Sequence, residues 1–483
     1  MNTPLRRLAT ITLVMFVALM ASATWVQFFQ AESLNTDPRN VRTLYREHGN
    51  ARGPIVAGGE AVASSVPVDD PFGYQRTYSN GELYSAVTGF YSIANGRSQL
   101  EEHANDQLTG RSDQLFFSRI RDLLTGRRPE GAAVETTILP AAQQAARDGL
   151  GDQHGAVVAI EPSTGRILAL VSTPGFDPNV LAVHSTSDAA AQYRALEAVE
   201  GNPLRSNATQ ERYAPGSTFK LVTAAAALES GAYTAETLVP SPTELTLPQT
   251  SATIGNFGGS SCGGEQSTLA DAMRISCNTA FASLGMTLGE DALREQSERF
   301  GFLDPSLTVP MPVVESVFPT GLDAAQLAQS AIGQRDVQAT PLQMAMVASA
   351  IANGGRLMTP YLVETVRAAD LTVVSQTEPA LLSDAVSAST ASALTQMMVG
   401  VVESGTARSA RIDGVQVAGK TGTAQTVEGE PPHAWFTAFA PAEAPRVAVA
   451  VIVENGGSLG NEATGGAVAA PIARAVIEAV LGS

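Results

Sequence analysis

The chain has 483 residues, 44% of them hydrophobic and 16% charged, with a formal net charge of −17. That length exceeds one ordinary core and predicts two or more domains, and the composition is globular, which excludes wholesale disorder. The acidic balance argues against nucleic-acid binding, which requires a basic face, and reads as a solubility feature.

The first element is apolar. Arg6 and Arg7 precede an uncharged run from Leu8 to Phe29, about the length a helix needs to cross roughly 30 Å of hydrocarbon. Trp25, Phe28 and Phe29 fall where amphipathic rings collect at the outer interface, and the arginines predict a cytoplasmic N-terminus. Residues 1–7 then form a cytoplasmic tail and 8–30 a transmembrane anchor. Ala21-Ser22-Ala23 also resembles a signal-peptidase site, but the apolar run continues past it, which favours an uncleaved anchor. Either reading places the rest of the chain outside the cytoplasm.

Residues 31–150 are comparatively rich in Arg, Asp, Gly and Ser and read as an elongated, loosely packed, non-catalytic module. Within it, "QLFFSRIRDLLTG" has the spacing of a short amphipathic helix, with Leu115, Phe116, Ile120, Leu123 and Leu124 on or near one face. "AAVETTILPAAQQAARDGL" predicts a short strand leading into a helix.

The texture changes at Gly155, and residues 151–483 read as a second domain. "GAVVAIEPSTGRILALVS" is two β-runs around a turn rich in Pro, Ser and Gly, a hairpin pattern. Ala-rich helical stretches follow, including "KLVTAAAALES" and "QATPLQMAMVASAIANGG". Strands return at "GVQVAGKTGTAQ", "HAWFTAFAP" and "RVAVAVIVEN", and an apolar helix closes the chain. Strands at both ends with helices between predict an α/β unit of the α+β type, with one antiparallel sheet built from both ends and flanked by helices.

Only two lysines occur, Lys220 and Lys420; the other 28 of the 30 Lys+Arg positions are arginine. Lys220 stands three residues after Ser217 at the start of a helical run, and positions i and i+3 share a helix face. Serine is a weak nucleophile until a neighbouring base takes its proton. A desolvated lysine can be that base, whereas arginine does not give up its proton in proteins. The helix N-terminus adds positive potential that favours the developing alkoxide. Ser276-Cys277-Asn278 is a second element, weak alone and ordinarily a cap or turn. Lys420-Thr421-Gly422, followed by Thr423 at a strand end, is a third, and Gly422 permits close approach to that strand. Ser-x-x-Lys, Ser-x-Asn and Lys-Thr-Gly form one catalytic signature in this chain order. Both lysines of the chain fall within it.

On these motifs the chain resembles the class B penicillin-binding proteins, the peptidoglycan D,D-transpeptidases. The resemblance covers nearly the whole chain: "DPRN", "RGPIV", "GAVVAIEPSTGRILALVSTPGFDPN", "APGSTFK", "ISCNTAF", "AIGQRDVQATPLQMA", "AGKTGTAQ" and "HAWFTAFAP" follow in family order. It implies the penicillin-binding-protein/serine β-lactamase-like fold. It also implies that Ser217 attacks the penultimate D-Ala carbonyl of a stem peptide, with Lys220 as general base. Ser276, tuned by Lys420, relays a proton toward the leaving D-Ala. Asn278 binds the substrate backbone. Thr421 and Thr423 hold the terminal carboxylate beside Gly422, and the N–H groups of Ser217 and Thr423 form the oxyanion hole. An amine on a neighbouring stem peptide takes the acyl group, and β-lactams acylate Ser217. No metal or organic cofactor is implied. The implied partner is a membrane glycosyltransferase of the shape, elongation, division and sporulation family.

The chain departs from the family pattern in two places. Arg335 replaces the usual glycine after "GQ", and Cys277 is unusual inside Ser-x-Asn. Outside the cytoplasm Cys277 can pair with Cys262, closing a loop beside the site worth ~3 kcal/mol in the chain-entropy picture; the alternative is a buried free thiol. Rival functions are a D,D-carboxypeptidase, a β-lactamase-like hydrolase, for which no motif supplies a water-activating group, and a scaffold of the cell-wall machinery. Residues 31–150 are too few for the glycosyltransferase domain of a bifunctional enzyme.

Overall fold

The computed structural model describes residues 3–30, 49–115, 130–425 and 429–483. Apart from Leu115, the expected amphipathic helix around residues 114–126 lies outside them. The chain divides into two compact units, residues 1–51 with 65–75, and residues 52–64 with 76–483.

In the first unit a helix runs over Thr3–Thr24 and continues as a π-turn over Trp25–Phe29. None of its residues is buried, and its 27 residues are long and apolar enough to cross a membrane. At 1.5 Å per residue it reaches ~40 Å.

The second unit is organised around a five-stranded antiparallel sheet in the order Ala418–Ala424, His433–Ala440, Val447–Val453, Gly155–Ile160, Ile167–Thr173. Two ends of the sequence meet at its centre, where Ala448 lies across from Ile160 and Val453 from Gly155. The strands are β-branched and Ala-rich, and the three central ones are buried at essentially every position. Both sheet faces are therefore covered. The Pro341–Ala352 helix packs on the central strands and is buried from Pro341 to Ile351, which is why it is apolar all round. It starts cleanly: Pro341 occupies its first position and the Thr340 hydroxyl accepts the Gln343 N–H at 3.1 Å. Two further helices, Pro140–Leu150 and Ala470–Leu481, pack on each other and on the sheet.

A second sheet has six strands in the order Val373–Gln376, Val363–Arg367, Ala133–Thr136, Ile55–Ala57, Glu60–Pro67, Tyr74–Tyr78. Ala133–Thr136 runs parallel to Ile55–Ala57 and antiparallel to Val363–Arg367. Residues from before 150 and from after 360 thus share one sheet. The Pro140–Leu150 helix belongs with the catalytic sheet: the Gln143 amide donates to Leu170 O and accepts from Leu170 N–H, both at 2.9 Å. The expectation of a loosely packed N-terminal module is corrected for its described residues. Ile55, Val87, Leu100, Leu108 and Val134 are fully buried and join the same apolar core as the catalytic strands. Short strands carrying Arg, Thr and Glu hide this, because their burial comes from pairing with distant segments rather than from their own apolar content.

Candidate active site

Three chain segments meet at one end of the catalytic sheet, around a cleft of about 960 Å³. The first is the turn before the Lys220–Glu229 helix, whose opening residues Gly216–Phe219 form a 3-10 turn. Ser217 sits in this turn, half-buried, on the cleft wall. Lys220 is fully buried beneath it.

The second segment is the corner between two short helices, Leu269–Arg274 and Asn278–Leu288. Ser276 and Cys277 close the first helix by donating back to Met273 O and Ala272 O. Ser276 takes φ +60°, the left-handed conformation that glycine or asparagine usually fills at a helix end. A serine there costs on the order of 1 kcal/mol, strain of the kind that concentrates at functional sites. Its hydroxyl is shared by both lysines: Lys420 Nζ donates to Ser276 Oγ at 2.8 Å, and Lys220 Nζ lies 3.3 Å from the same oxygen. Cys277 is joined to Cys262 by a disulfide, with Cα atoms 5.9 Å apart, closing a loop of sequence separation 15 against this corner.

The third segment is the edge strand Ala418–Ala424, which carries Lys420, Thr421, Gly422 and Thr423. A Cβ on Gly422 would lie 2.9 Å from Pro215 O and 3.0 Å from Thr218 Cγ2, so only glycine lets this strand close on the nucleophile turn. Thr421 Oγ1 is 2.6 Å from Thr406 Oγ1, and both threonines line the cleft with Gly422 and Thr423.

The two amines are held differently from an ordinary lysine. Lys220 Nζ donates to Ser276 O and to Asn278 Oδ1, each at 2.8 Å, and Lys420 Nζ donates to Thr421 O at 2.9 Å. Among the described residues none of these partners is a carboxylate. Burial holds Lys220 well below the usual lysine pKa and the charge of Lys420 pushes it further down; burial alone lowers Lys420 to about 7. A neutral Lys220 has two N–H bonds, and the two carbonyl oxygens take both. Its lone pair is then the one function left over. Ser217 Oγ itself has no hydrogen-bond partner among the described residues, so the serine and lysine of the i, i+3 pair share this turn without a hydrogen bond between them in this arrangement. The amine is turned instead toward Ser276 and Asn278.

Asn278 is gripped at both ends of its amide, Oδ1 by Lys220 and Nδ2 by Gly255 O at 3.0 Å. The grip depends on Asn256, a residue that sequence reasoning does not reach. Its Oδ1 accepts the backbone N–H groups of Asn278 at 2.9 Å and Thr279 at 3.2 Å, capping the helix from outside. In "IGNFGG" it looks like any loop asparagine, and no local pattern marks it. Trp435 goes unmarked in the same way: it lies across from Gly422 and donates its indole N–H to Ala214 O at 3.0 Å. Arg335, the departure in "GQRD", keeps the glycine conformation at φ +63°, so the loop retains that backbone with a side chain the conformation disfavours. Gly333, two residues earlier, accepts the Gly216 N–H at 2.8 Å, and a Cβ there would lie 2.1 Å from Gly216 O.

Residues 155–478 match the penicillin binding protein transpeptidase domain family, and residues 52–134 match the penicillin binding protein A dimerisation domain family. The chain is 47% identical to the peptidoglycan D,D-transpeptidase PbpA of Mycolicibacterium smegmatis, over 100% of this chain and 99% of that one. It is 46% identical to its Mycobacterium tuberculosis counterpart over the same shares. The ceftriaxone acyl-enzyme of penicillin-binding protein A from M. tuberculosis superposes with a TM-score of 0.88 at 45% identity, covering 90% of this chain and 100% of that one. The D,D-transpeptidase domain from Eggerthella lenta follows with a TM-score of 0.77 at 34% identity, covering 90% and 99%. With a signature-bearing cleft, a matching sheet and full-length relatives, the chain belongs to the penicillin-binding proteins, in the class of peptidoglycan D,D-transpeptidases to which penicillin-binding protein A belongs.

Proposed function

We propose that this protein cross-links peptidoglycan stem peptides through an acyl-enzyme on Ser217, and that β-lactams inhibit it by acylating the same oxygen. The observation that carries the reading is the sharing of Ser276 Oγ between two buried lysines that have no carboxylate partner among the described residues, beside Ser217 in one cleft.

Lys220 turns its lone pair from the Ser276–Asn278 corner to Ser217 and takes the hydroxyl proton as Oγ attacks the penultimate D-Ala carbonyl. The oxyanion forms between the N–H groups of Ser217 and Thr423. Ser276 accepts from Lys420 and keeps its own O–H to pass toward the departing D-Ala nitrogen, and Lys220 replenishes it. Asn278 binds the donor's backbone. Thr421, Thr423 and the Lys420 charge hold its terminal carboxylate, and Gly422 leaves room for both. An acceptor amine then attacks the ester and gives its proton to Lys220, which passes it to Ser217 Oγ as the ester bond breaks, so that the serine hydroxyl and the neutral lysine are both restored. The Cys262–Cys277 bridge holds the loop that carries Asn256 against this corner.

The apolar Thr3–Phe29 helix serves as a single-pass anchor, with residues 1–7 cytoplasmic and the catalytic unit outside. The strands before 137 form the non-catalytic platform, and a membrane glycosyltransferase of the elongation and division machinery is the partner. Labelled penicillin with peptide mapping tests the central claim: the label is expected on Ser217, and label elsewhere refutes it. Stem peptide supplied with an amine acceptor should give cross-linked dimer; hydrolysis product alone would make the enzyme a carboxypeptidase.

A further inference from the structure

We propose that Glu454 and Tyr213 form a brace that positions Ser217 for acylation, so that both are positioning residues of the reaction. The inference rests on Ser217 being the nucleophile.

Tyr213 lies four residues before Ser217. Its backbone is tied to Ala339 in both directions, N–H to O at 3.0 Å and O from N–H at 2.9 Å. Its hydroxyl donates to Glu454 Oε1 at 2.7 Å, and Asn207 Nδ2 donates to the same oxygen at 3.1 Å. Asn207 is itself anchored to the end of a catalytic strand, through Ser172 Oγ and Thr173 O. Glu454 follows directly on the Val447–Val453 strand, and its N–H donates to His154 O at 2.9 Å. One carboxylate oxygen therefore joins the sheet to the chain that delivers the nucleophile.

The same residues reach the opposite wall of the cleft. The Tyr213 ring packs edge-on against His433 and Trp435, with centroids 5.5 and 6.1 Å away. Trp435 holds Ala214 O, and His433 Nδ1 accepts the Asn455 N–H at 3.0 Å. Asn455 opens the segment whose later residues Asn461 and Thr464 line the cleft. Glu454 and Tyr213 thus sit where the nucleophile turn, the strand behind Gly422 and the cleft wall converge. No step of the reaction uses them, yet a half-buried carboxylate that accepts two side-chain donors through one oxygen needs a reason to remain. A misplacement of about 1 Å at a reacting atom costs on the order of 100-fold in rate, so a loosened Ala214–Gly216 approach is felt at Ser217 Oγ before it is felt in the fold.

The full-length protein and the variants Tyr213→Phe, Glu454→Ala and Glu454→Gln are compared by labelled-penicillin acylation, separating the maximal acylation rate from the non-covalent dissociation constant, with thermal melts alongside. Tyr213→Phe keeps the ring packing, and Glu454→Gln keeps an oxygen for both donors. Tyr213→Phe and Glu454→Ala should each lower the maximal rate about tenfold, with the dissociation constant changed less than about twofold, while Glu454→Gln loses no more than about threefold. Should Glu454→Ala fail to fold, Tyr213→Phe decides. Label on Ser217 with an unchanged Tyr213→Phe rate overturns the brace alone, as does a Glu454→Gln rate as low as that of Glu454→Ala. Absence of label on Ser217 in the native protein overturns the nucleophile reading and the brace with it.

Discussion

Among the described residues two clusters of charge are buried, and they are built on opposite plans. Beside the N-terminal sheet Glu101, on the short helix Gln99–His103, is fully buried between two arginines, with Arg52 Nε at 2.8 Å and Arg76 Nε at 2.7 Å, and Tyr78 donates to it at 3.1 Å. Burial alone would raise the Glu101 pKa; the charges and hydrogen bonds of Arg76 and Arg52 outweigh it and lower it. In the cleft, Lys220 and Lys420 are equally buried, but their partners are carbonyl, amide and hydroxyl oxygens, and both pKa values fall. The first cluster keeps its charges by pairing them, with side chains that cannot lose a proton in the protein's range. The second leaves its charges uncompensated, so that protons can leave. A chain that uses arginine for every other fixed cation keeps lysine at the two places where the proposed reaction needs it, a proton that can leave at Lys220 and a compact charge at Lys420.

The sharpest way to break the comparison is to put the structural cation into the catalytic place. Lys220→Arg retains positive charge and should lower acylation about 10³-fold or more, because the guanidinium cannot act as base. Lys220→Met, apolar and of similar length, should fail equally. Near-normal penicillin labelling of the arginine variant would contradict the general-base role.

The converse change strikes the paired cluster. Glu101→Ala strands two buried arginines and should cost ~3–5 kcal/mol of stability, read as a lowered denaturation midpoint. The protein that remains folded should acylate at the native rate. Replacing Arg52 and Arg76 by Met in the same chain should recover much of the loss. An undiminished midpoint for Glu101→Ala alone would mean that the arginines find water or other acceptors.

The catalytic cluster could be read in the sequence because its residues are rare and spaced by motif: two lysines, each within a short signature, leave few alternatives. The catalytic sheet was legible for a related reason, since runs such as "VAVAVIV" can be little else. The paired cluster was not. Arg52, Arg76 and Glu101 look like ordinary surface charges in their local strings, and only the fold brings these three segments, 24 to 49 residues apart, into one buried cluster. Asn256 and Glu454 escape for the same cause: each acts on a segment distant in sequence, through one side-chain oxygen, and no periodicity records that. The boundary expected at 150 follows from reading texture along the chain, whereas Gln143 bonds to Leu170 across it.

A pH titration sharpens the comparison by less. Lys420 must carry its proton to hold a carboxylate, and Lys220 must lack one to act as base. Acylation per unit of free enzyme should therefore be bell-shaped, with an alkaline limb at about pH 7 from Lys420 and an acid limb from Lys220 below the usual lysine range. Stability has the matching sign. Between about 7 and the ordinary value of 10.5, unfolded Lys420 holds a proton that the folded chain has released. The unfolded state then binds more protons, and stability rises with pH across that window. Denaturation of Lys420→Met over the same range should lose the Lys420 share of this rise while Lys220 keeps its own, and a rate profile flat from pH 5 to roughly 9 would deny that the two lysines are set apart.

The smallest test concerns an arginine that serves neither plan. Arg335 holds φ +63°, and among the described residues its guanidinium pairs with its neighbour Asp336, at 3.2 Å on the surface. An exposed pair of this kind contributes ~0–1 kcal/mol, while a side chain in the left-handed region costs roughly 1–2 kcal/mol. Glycine would remove that strain but lose roughly 0.4–1 kcal/mol through the greater freedom of the unfolded chain. Arg335→Gly should therefore shift stability by no more than roughly 1–1.5 kcal/mol in either direction, because the strain relieved is set against both the entropy and the pair lost. Arg335→Ala keeps the strain and loses the pair, so it should be no more stable than the native chain. Acylation should stay within about twofold in both, since Arg335 is not among the residues lining the cleft. A loss of well over ~1 kcal/mol in both variants would show that the guanidinium, and not the backbone, holds the "GQRD" loop, and would return this arginine to the paired plan.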